Sequence, residues 1–218
     1  MLIRNITGEQ LVDLVTEAVK KALTEQERKV PVGISMRHVH LNVRDLARLF
    51  GPTYVLTPYK SLSQPGQFAA EECVDVIGPK GMLRRVRILG PLRKETQIEL
   101  AQTDCRSIGV KAPVRASGHL EGTPGIILRG PCGEITVDHG VIIADRHIHL
   151  SPSQAAAFGL KDGDKVKVSV DGEKKGVMGG VLIRSNDQCE MDFHIDTDDG
   201  NAFQLKQGQL VTILEKED

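Results

Sequence analysis

Two strings carry the residues with the most chemical capacity. Ser35-Met36-Arg37-His38-Val39-His40-Leu41-Asn42 and Ala144-Asp145-Arg146-His147-Ile148-His149-Leu150-Ser151 share an Arg-His-x-His-Leu pattern that ends in a helix-capping residue. His147 follows His38 by 109 residues, half of the 218-residue chain, and four of the seven histidines lie in these strings. In a strand, side chains at i and i+2 project from one face, so each string presents two imidazoles side by side. Neutral imidazole nitrogen binds zinc at about 2.0–2.1 Å. Two facing pairs would hold one ion together or two ions separately. A lone His-x-His is more often a surface or core feature. Recurrence of the whole string, with imidazoles in otherwise apolar strands, favours metal binding here.

A third donor from another strand would complete each pair and leave a position open for substrate. Glu99, in TQIELAQTD, and His194, in MDFHIDTDD, are the candidates. Aligned on their Thr-Asp dipeptides, the two are one residue out of register, a slip that a β-bulge would absorb.

Arg37 and Arg146 immediately precede the histidines and so face the other way, which suits structural ion pairs. Arg93 lies in the turn Gly90-Pro91-Leu92-Arg93-Lys94-Glu95-Thr96, where a guanidinium could grip phosphate or simply be solvated. Lys80, Arg84, Arg85 and Arg87 surround a Gly-Pro-Lys-Gly hairpin, which is either a phosphate grip or a solvated face. His119 and His139 each stand beside a glycine without a partner and read as surface residues. No GxxxxGK[ST], no GxGxxG after a strand and no G-x-S-x-G occurs, so no P-loop, Rossmann or nucleophile-elbow site is supported.

These side chains need elements to hold them. Residues 7–24 read as an amphipathic helix: Thr7 with Gln10 forms a capping box, Ile6 and Leu11 a hydrophobic staple, and Leu11, Leu14, Val15, Ala18 and Ala22 a stripe. From Val32 onward, short β-type runs (VPVGIS, YVLTP, CVDVIG, RRVRIL, TQIEL, GIILRG, EITV, GVIIA, KVKVSV, GVLIR, MDFHID) are punctuated by Gly, Pro, Asn and Asp. Short helices are expected only at Val43–Phe50 and Pro152–Phe158. The expected architecture is mainly β: two tandem, duplicated β-barrel domains with short capping helices, behind an N-terminal amphipathic helix. The divisions are residues 1–30, 31–120 and 121–218, with the boundary in the Pro/Gly cluster APVRASGHLEGTPG.

Composition excludes several classes. With 28 basic and 29 acidic residues, the net charge of −1 offers no field for nucleic acid or an anionic membrane. Aromatic residues at 3% provide few platforms for stacking bases. No CxxC pair occurs among Cys73, Cys105, Cys132 and Cys189, which suits four reduced thiols in a cytoplasmic protein. No apolar run approaches the roughly 20 residues of a membrane span, and the polar start MLIRNITGEQ does not suit a signal peptide.

SMRHVHL, GPLRKETQIEL, GVIIADRHIHLSP and MDFHIDTDDGNA, in that order and spacing, resemble the PduL-type phosphate propanoyltransferases over roughly Val32 to the C-terminus. The resemblance implies two β-barrel domains with a dinuclear zinc site between them. It also implies the reaction acyl-CoA plus phosphate giving acyl phosphate plus CoA, in either direction, with propanoyl-CoA or acetyl-CoA as substrate. His38, His40 and Glu99 would ligate one zinc, with the CoA sulfur in its open position. His147, His149 and His194 would ligate the other. Arg93 would bind phosphate, and Ser35, Lys80, Arg87 and Asn201 would contact CoA. The resemblance also offers two readings of the N-terminal helix. One is an encapsulation peptide that directs the enzyme to the shell or core proteins of a bacterial microcompartment. The other is a helix that caps a barrel or packs in a homo-oligomer. Two other functions remain open to the same histidines: a metal-dependent hydrolase, and a non-catalytic zinc-stabilised module.

Overall fold

The computed structural model describes residues 7–217. Helix α1 spans Gly8–Glu27 and begins as the sequence predicts. The Gln10 amide N–H donates to Thr7 Oγ1 at 3.3 Å, and the Thr7 N–H donates to Gln10 Oε1 at 3.0 Å. Ile6, the other half of the expected staple, lies outside the described residues. The described side chains of α1, residues 8–19, are all exposed, including Leu11, Val12, Leu14, Val15 and Val19.

Strand β1 (Lys29–Ser35) leads into β2 (His38–His40) and helix α2 (Val43–Phe50). Asn42 caps α2 by accepting from the Asp45 N–H at 2.8 Å. Next come β3 (Pro58–Ser61), β4 (Phe68–Gly78), β5 (Gly81–Gly90), β6 (Gln97–Glu99), helix α3 (Gln102–Ile108) and β7 (Val114–Arg115). After them lie β8 (Ile126–Gly130), β9 (Gly133–Val137) and β10 (Val141–Ala144). The second half holds β11 (His147–Leu150), α4 (Pro152–Ala157), β12 (Lys165–Val170), β13 (Gly176–Ser185), β14 (Asp192–Asp196), α5 (Thr197–Ala202) and β15 (Leu210–Lys216). Pro152 and a Ser151–Gln154 capping box start α4.

The protein is mainly β, in two sheets. One is a closed six-stranded barrel in the order β1-β14-β11-β13-β12-β15. Its core comes from alternating apolar residues such as Val166, Val168 and Val170, all 0–1% exposed. The other is a nine-stranded curled sheet in the order β7-β10-β6-β2-β5-β4-β8-β9, with β3 on β4. It encloses a second core around Ile88, Ile98, Leu49 and Leu128.

The sheets do not change over at residue 120. Strands β8–β10 stay with the first sheet, while β1 pairs in parallel with β14 (Val32↔Phe193, Ile34↔Ile195) and closes the barrel of the second half. The Pro/Gly cluster marks loops, and the sheets change over at the histidine strings instead. Each half therefore contributes backbone to the other. The expected strand at YVLTP is a loop over residues 54–57. The Glu72 carboxylate accepts from the Thr57 N–H and the Tyr54 hydroxyl, so this segment is tied down without a partner strand. Helices α3 and α5 were unforeseen because six or seven residues are too few to display a helical period.

Candidate active site

Two short antiparallel pairings assemble the donors. Strand β2 pairs with β6 so that His38 faces Glu99 and His40 faces Gln97. Strand β11 pairs with β14 so that His147 faces His194 and His149 faces Asp192. Glu99 and His194 thus hold the same cross-strand position, and no bulge is needed. The slip came from aligning the two Thr-Asp dipeptides. The helices start three residues after each donor, at Gln102 and Thr197, so Asp104 corresponds to Asp199. Their ion pairs agree: Arg37 to Asp104 at 3.1 Å and Arg146 to Asp199 at 3.0 Å. Both arginines make the ion pairs expected from the sequence, although Arg37, expected to face away, also lines the cavity described below.

The donors form two groups, His38/His40/Glu99 and His147/His149/His194, each with its ligand atoms within 4.8 Å of one another. Ring nitrogens are positioned from behind. A carbonyl oxygen only accepts, so the Nδ1–H of His38 donates to Met36 (2.8 Å), that of His40 to Leu89 (3.2 Å) and that of His147 to Asp145 (2.8 Å). His149 differs, because its Nδ1 meets Cys189 Sγ at 3.3 Å. His194 Nε2 lies 3.0 Å from Asp192 Oδ2, a carboxylate–imidazole contact that puts the proton on Nε2 and the lone pair on Nδ1.

Burial keeps most of these imidazoles neutral. Desolvation, then the neighbouring charges, lowers His40 to about 3. Desolvation is also the largest cause for His149, lowered to about 3, and for His147, lowered to about 4. Burial opposes charge on His38 as well, but the Glu99 carboxylate at 3.4 Å outweighs it and raises its pKa. Burial would raise Glu99, yet His38, His40 and Arg93 together hold it well below the carboxylate range. Gln97 Nε2 and the Ser117 hydroxyl both donate to Glu99 Oε1. Arg93 donates to Ser117 Oγ at 3.0 Å, which links the guanidinium to the Glu99 network.

The donor chemistry fits a divalent ion of the zinc class. With Nδ1 of His147 protonated, its Nε2 lone pair faces His149 Nε2 at 3.2 Å. Either a His149 Nε2–H donated to that lone pair or a cation shared by the two nitrogens accounts for this separation. Each group offers three donors, fewer than the four that close a structural site.

Both groups line one cavity of about 620 Å³, together with Ser35, Arg87 and Arg93. Lys80 and Asn201 are not among its lining residues. Lys80 sits on the β4–β5 turn with its side chain beside Gly109, and Asn201 is exposed on α5. The tip of the hairpin, with Lys80, thus packs against the end of α3 and does not line the cavity, whereas Arg87, farther along β5, does. Lys60 and Tyr59 of β3 line the cavity instead, and the Arg87 guanidinium stacks 5.3 Å above the Tyr59 ring. His139, expected to have no partner, is exposed and pairs with Glu95 at 3.1 Å.

Sequence reasoning missed Ser63, Gln64 and Arg184. Ser63 Oγ approaches His194 Nε2 at 3.4 Å from the β3–β4 loop. Gln64, 4% exposed, bonds both the N–H and the carbonyl of Glu190, which fastens the first-half hairpin to the second half. No local pattern announces such long-range contacts. Arg184 did have one, since it alternates with buried apolar residues in GVLIR. Gly33 must be glycine, because a Cβ there would stand 2.8 Å from the Asp192 carboxylate and 2.9 Å from His194 Cδ2.

The two halves of this mainly β protein thus each aim three donors into one shared cavity. The phosphate propanoyltransferase family profile matches residues 31–206, and the chain belongs to that family. A phosphate propanoyltransferase of Thermotoga maritima is 52% identical over 194 residues, covering 88% of this chain and 92% of its own length. Those of Rhodopseudomonas palustris (50% over 188 residues; 86% and 83%) and Salmonella typhimurium (45% over 192 residues; 87% and 91%) bear the same name.

Proposed function

We propose that this protein interconverts acyl-CoA plus phosphate with acyl phosphate plus CoA, with propanoyl or acetyl as the acyl group, at two zinc-class sites formed by His38/His40/Glu99 and His147/His149/His194. The observation that carries this reading is the convergence of two three-donor groups on one cavity that also contains Arg93. Bound there, such ions would supply Lewis acidity that favours the thiolate form of CoA and polarises the acyl carbonyl.

The protein's own groups do the rest. Met36, Leu89 and Asp145 carbonyls hold three imidazoles with their Nε2 lone pairs inward. Arg93, steadied by Ser117, offsets the phosphate charge. In the acyl-CoA direction a phosphate oxygen bonds to the thioester carbon, the carbon–sulfur bond breaks, and its electron pair leaves on sulfur. The two nucleophile–imidazole contacts at the donor groups, Cys189–His149 and Ser63–His194, place neither Cys189 nor Ser63 on the cavity lining, which favours direct transfer between two bound substrates. Ser35 and Arg87 on the cavity wall, joined by Lys60 where Lys80 had been expected, supply polar contacts to CoA.

The described apolar residues of α1, Leu11, Val12, Leu14, Val15 and Val19, are exposed, which favours an external partner such as a microcompartment component. No described helix is long and apolar enough to cross a membrane.

Release of free thiol from propanoyl-CoA with and without phosphate tests the reaction. Phosphate-dependent release is expected. Equal release without phosphate would mean hydrolysis and would overturn the proposal. Trapping an acyl-enzyme would overturn direct transfer alone.

A further inference from the structure

Four arginines line the cavity: Arg37, Arg87, Arg93 and Arg184. Three have partners. Arg37 pairs with Asp104, Arg87 donates to the Ala70 and Glu71 carbonyls, and Arg93 donates to Ser117. Among the described residues, the Arg184 guanidinium makes no hydrogen bond or ion pair. It is only partly exposed, so water does not fully replace those partners.

Its position is set by the sheet. Strand β13 pairs in parallel with β11, and Arg184 stands in register with His149. Neighbours in register project from the same face, so Arg184 is carried into the cavity beside the second donor group. Its charge reaches His147, His149 and Arg93, lowering the proton affinity of each, so the four groups share one neighbourhood. Two guanidiniums converge there, and the carboxylate nearest Arg93, Glu99, is already bonded by Gln97 and Ser117.

We infer that Arg184 is a second phosphate-binding residue, closing on the phosphoryl group of phosphate or acyl phosphate opposite Arg93. A phosphate dianion matches two convergent guanidiniums in charge, and its oxygens accept from the guanidinium fork. The diphosphate of CoA is the other anion available. The pantetheine arm holds it far from the sulfur, whereas Arg184 sits against the donor groups. This inference rests on the proposed reaction for its substrate, but its main test does not depend on turnover.

Calorimetric titration of inorganic phosphate into the metal-loaded protein is compared for the parent, Arg184→Ala and Arg184→Lys. Phosphate affinity should fall about 10- to 100-fold in R184A, the range for a lost charged hydrogen bond, and less in R184K, which keeps charge without the fork. In turnover, R184A should raise KM for phosphate while KM for acyl-CoA stays within about twofold, with metal content unchanged. Unchanged phosphate affinity in R184A, no phosphate binding by the parent, or a shift in KM for acyl-CoA alone would overturn the assignment. If the parent binds phosphate through Arg184 yet releases no CoA in response to it, the proposed reaction fails and the anion site stands.

Discussion

Metal-free protein should be acid-labile, and the cause lies in the donor groups. His40 and His149 are held neutral down to about 3, and His147 to about 4, chiefly by burial. Unfolding returns each to about 6.5. Below that pH the unfolded chain takes up protons that the folded chain refuses, so stability falls as pH falls. At pH 5, about 1.5 units under the unfolded value, each imidazole costs about 2 kcal/mol, and the three together about 6 kcal/mol if they act independently. His38 works in the opposite sense. Its pKa is raised beside Glu99, so its protonation favours the fold throughout the acid range. Asp104 and Asp199, raised mainly by burial, return stability only as they protonate at lower pH. A loss of this size is comparable with the whole stability of many domains, about 5–15 kcal/mol. At about 2–4 °C per kcal/mol for a chain of this size, Tm should drop by about 12–24 °C between pH 7.5 and 5. The assay is calorimetry of chelator-treated protein across that range. His149→Gln removes one of the three titrating groups and should recover about a third of the drop. A stripped protein whose Tm varies by less than about 2 °C over that range would refute the reasoning.

Two further outcomes follow from the same geometry. Cys189→Ala removes the hydrogen-bond partner of His149 Nδ1 among the described residues, where His38, His40 and His147 have carbonyls, so metal affinity at the second group should weaken about tenfold with the first unchanged; stepwise chelator competition reads this, and equal affinities would remove Cys189 from the site. Deletion of residues 1–27 should leave Tm and kcat within error, because the described α1 side chains are exposed; loss of soluble protein would instead show that α1 packs in an assembly.

Much of this site is legible in the sequence because the duplication repeats it. The period-2 spacing in His38-Val39-His40 and His147-Ile148-His149 predicts imidazoles on one face, and the β2–β6 and β11–β14 pairings use that face. The third donors were found by likeness of flanking strands, but their equivalence was misjudged. A shared Thr-Asp dipeptide is a weaker guide than the ion pairs Arg37–Asp104 and Arg146–Asp199, which only the fold displays. Lys80 drew attention through a local run of charge, yet local charge says nothing about which way a hairpin tip faces. Lys60 and Gln64 reach the cavity, and Ser63 reaches His194, only because β3 folds back on β4 and its loop crosses to Glu190. The crossing of β1 into the far barrel was hidden for the same reason: VPVGIS reads as a strand wherever it pairs.

The duplication also separates the two donor groups chemically. Strand β6 carries Gln97 and Glu99, while β14 carries Asp192 and His194 at the matching positions. Each strand thus has one carboxylate at these two positions, in opposite order. In the first group the carboxylate is itself a donor. In the second it stands behind an imidazole, at 3.0 Å from His194 Nε2. Coulomb attraction falls with distance, so a cation in the first group is neutralised more fully than one in the second. Arg184 adds positive charge on the second side as well. Under the proposed reaction, phosphate would sit beside the second group, between Arg184 and Arg93, and the CoA sulfur beside the first. The sulfur becomes anionic only as the thioester bond breaks, whereas phosphate is anionic throughout. One exchange of carboxylate position between two copies of a strand would bias the cavity in that direction.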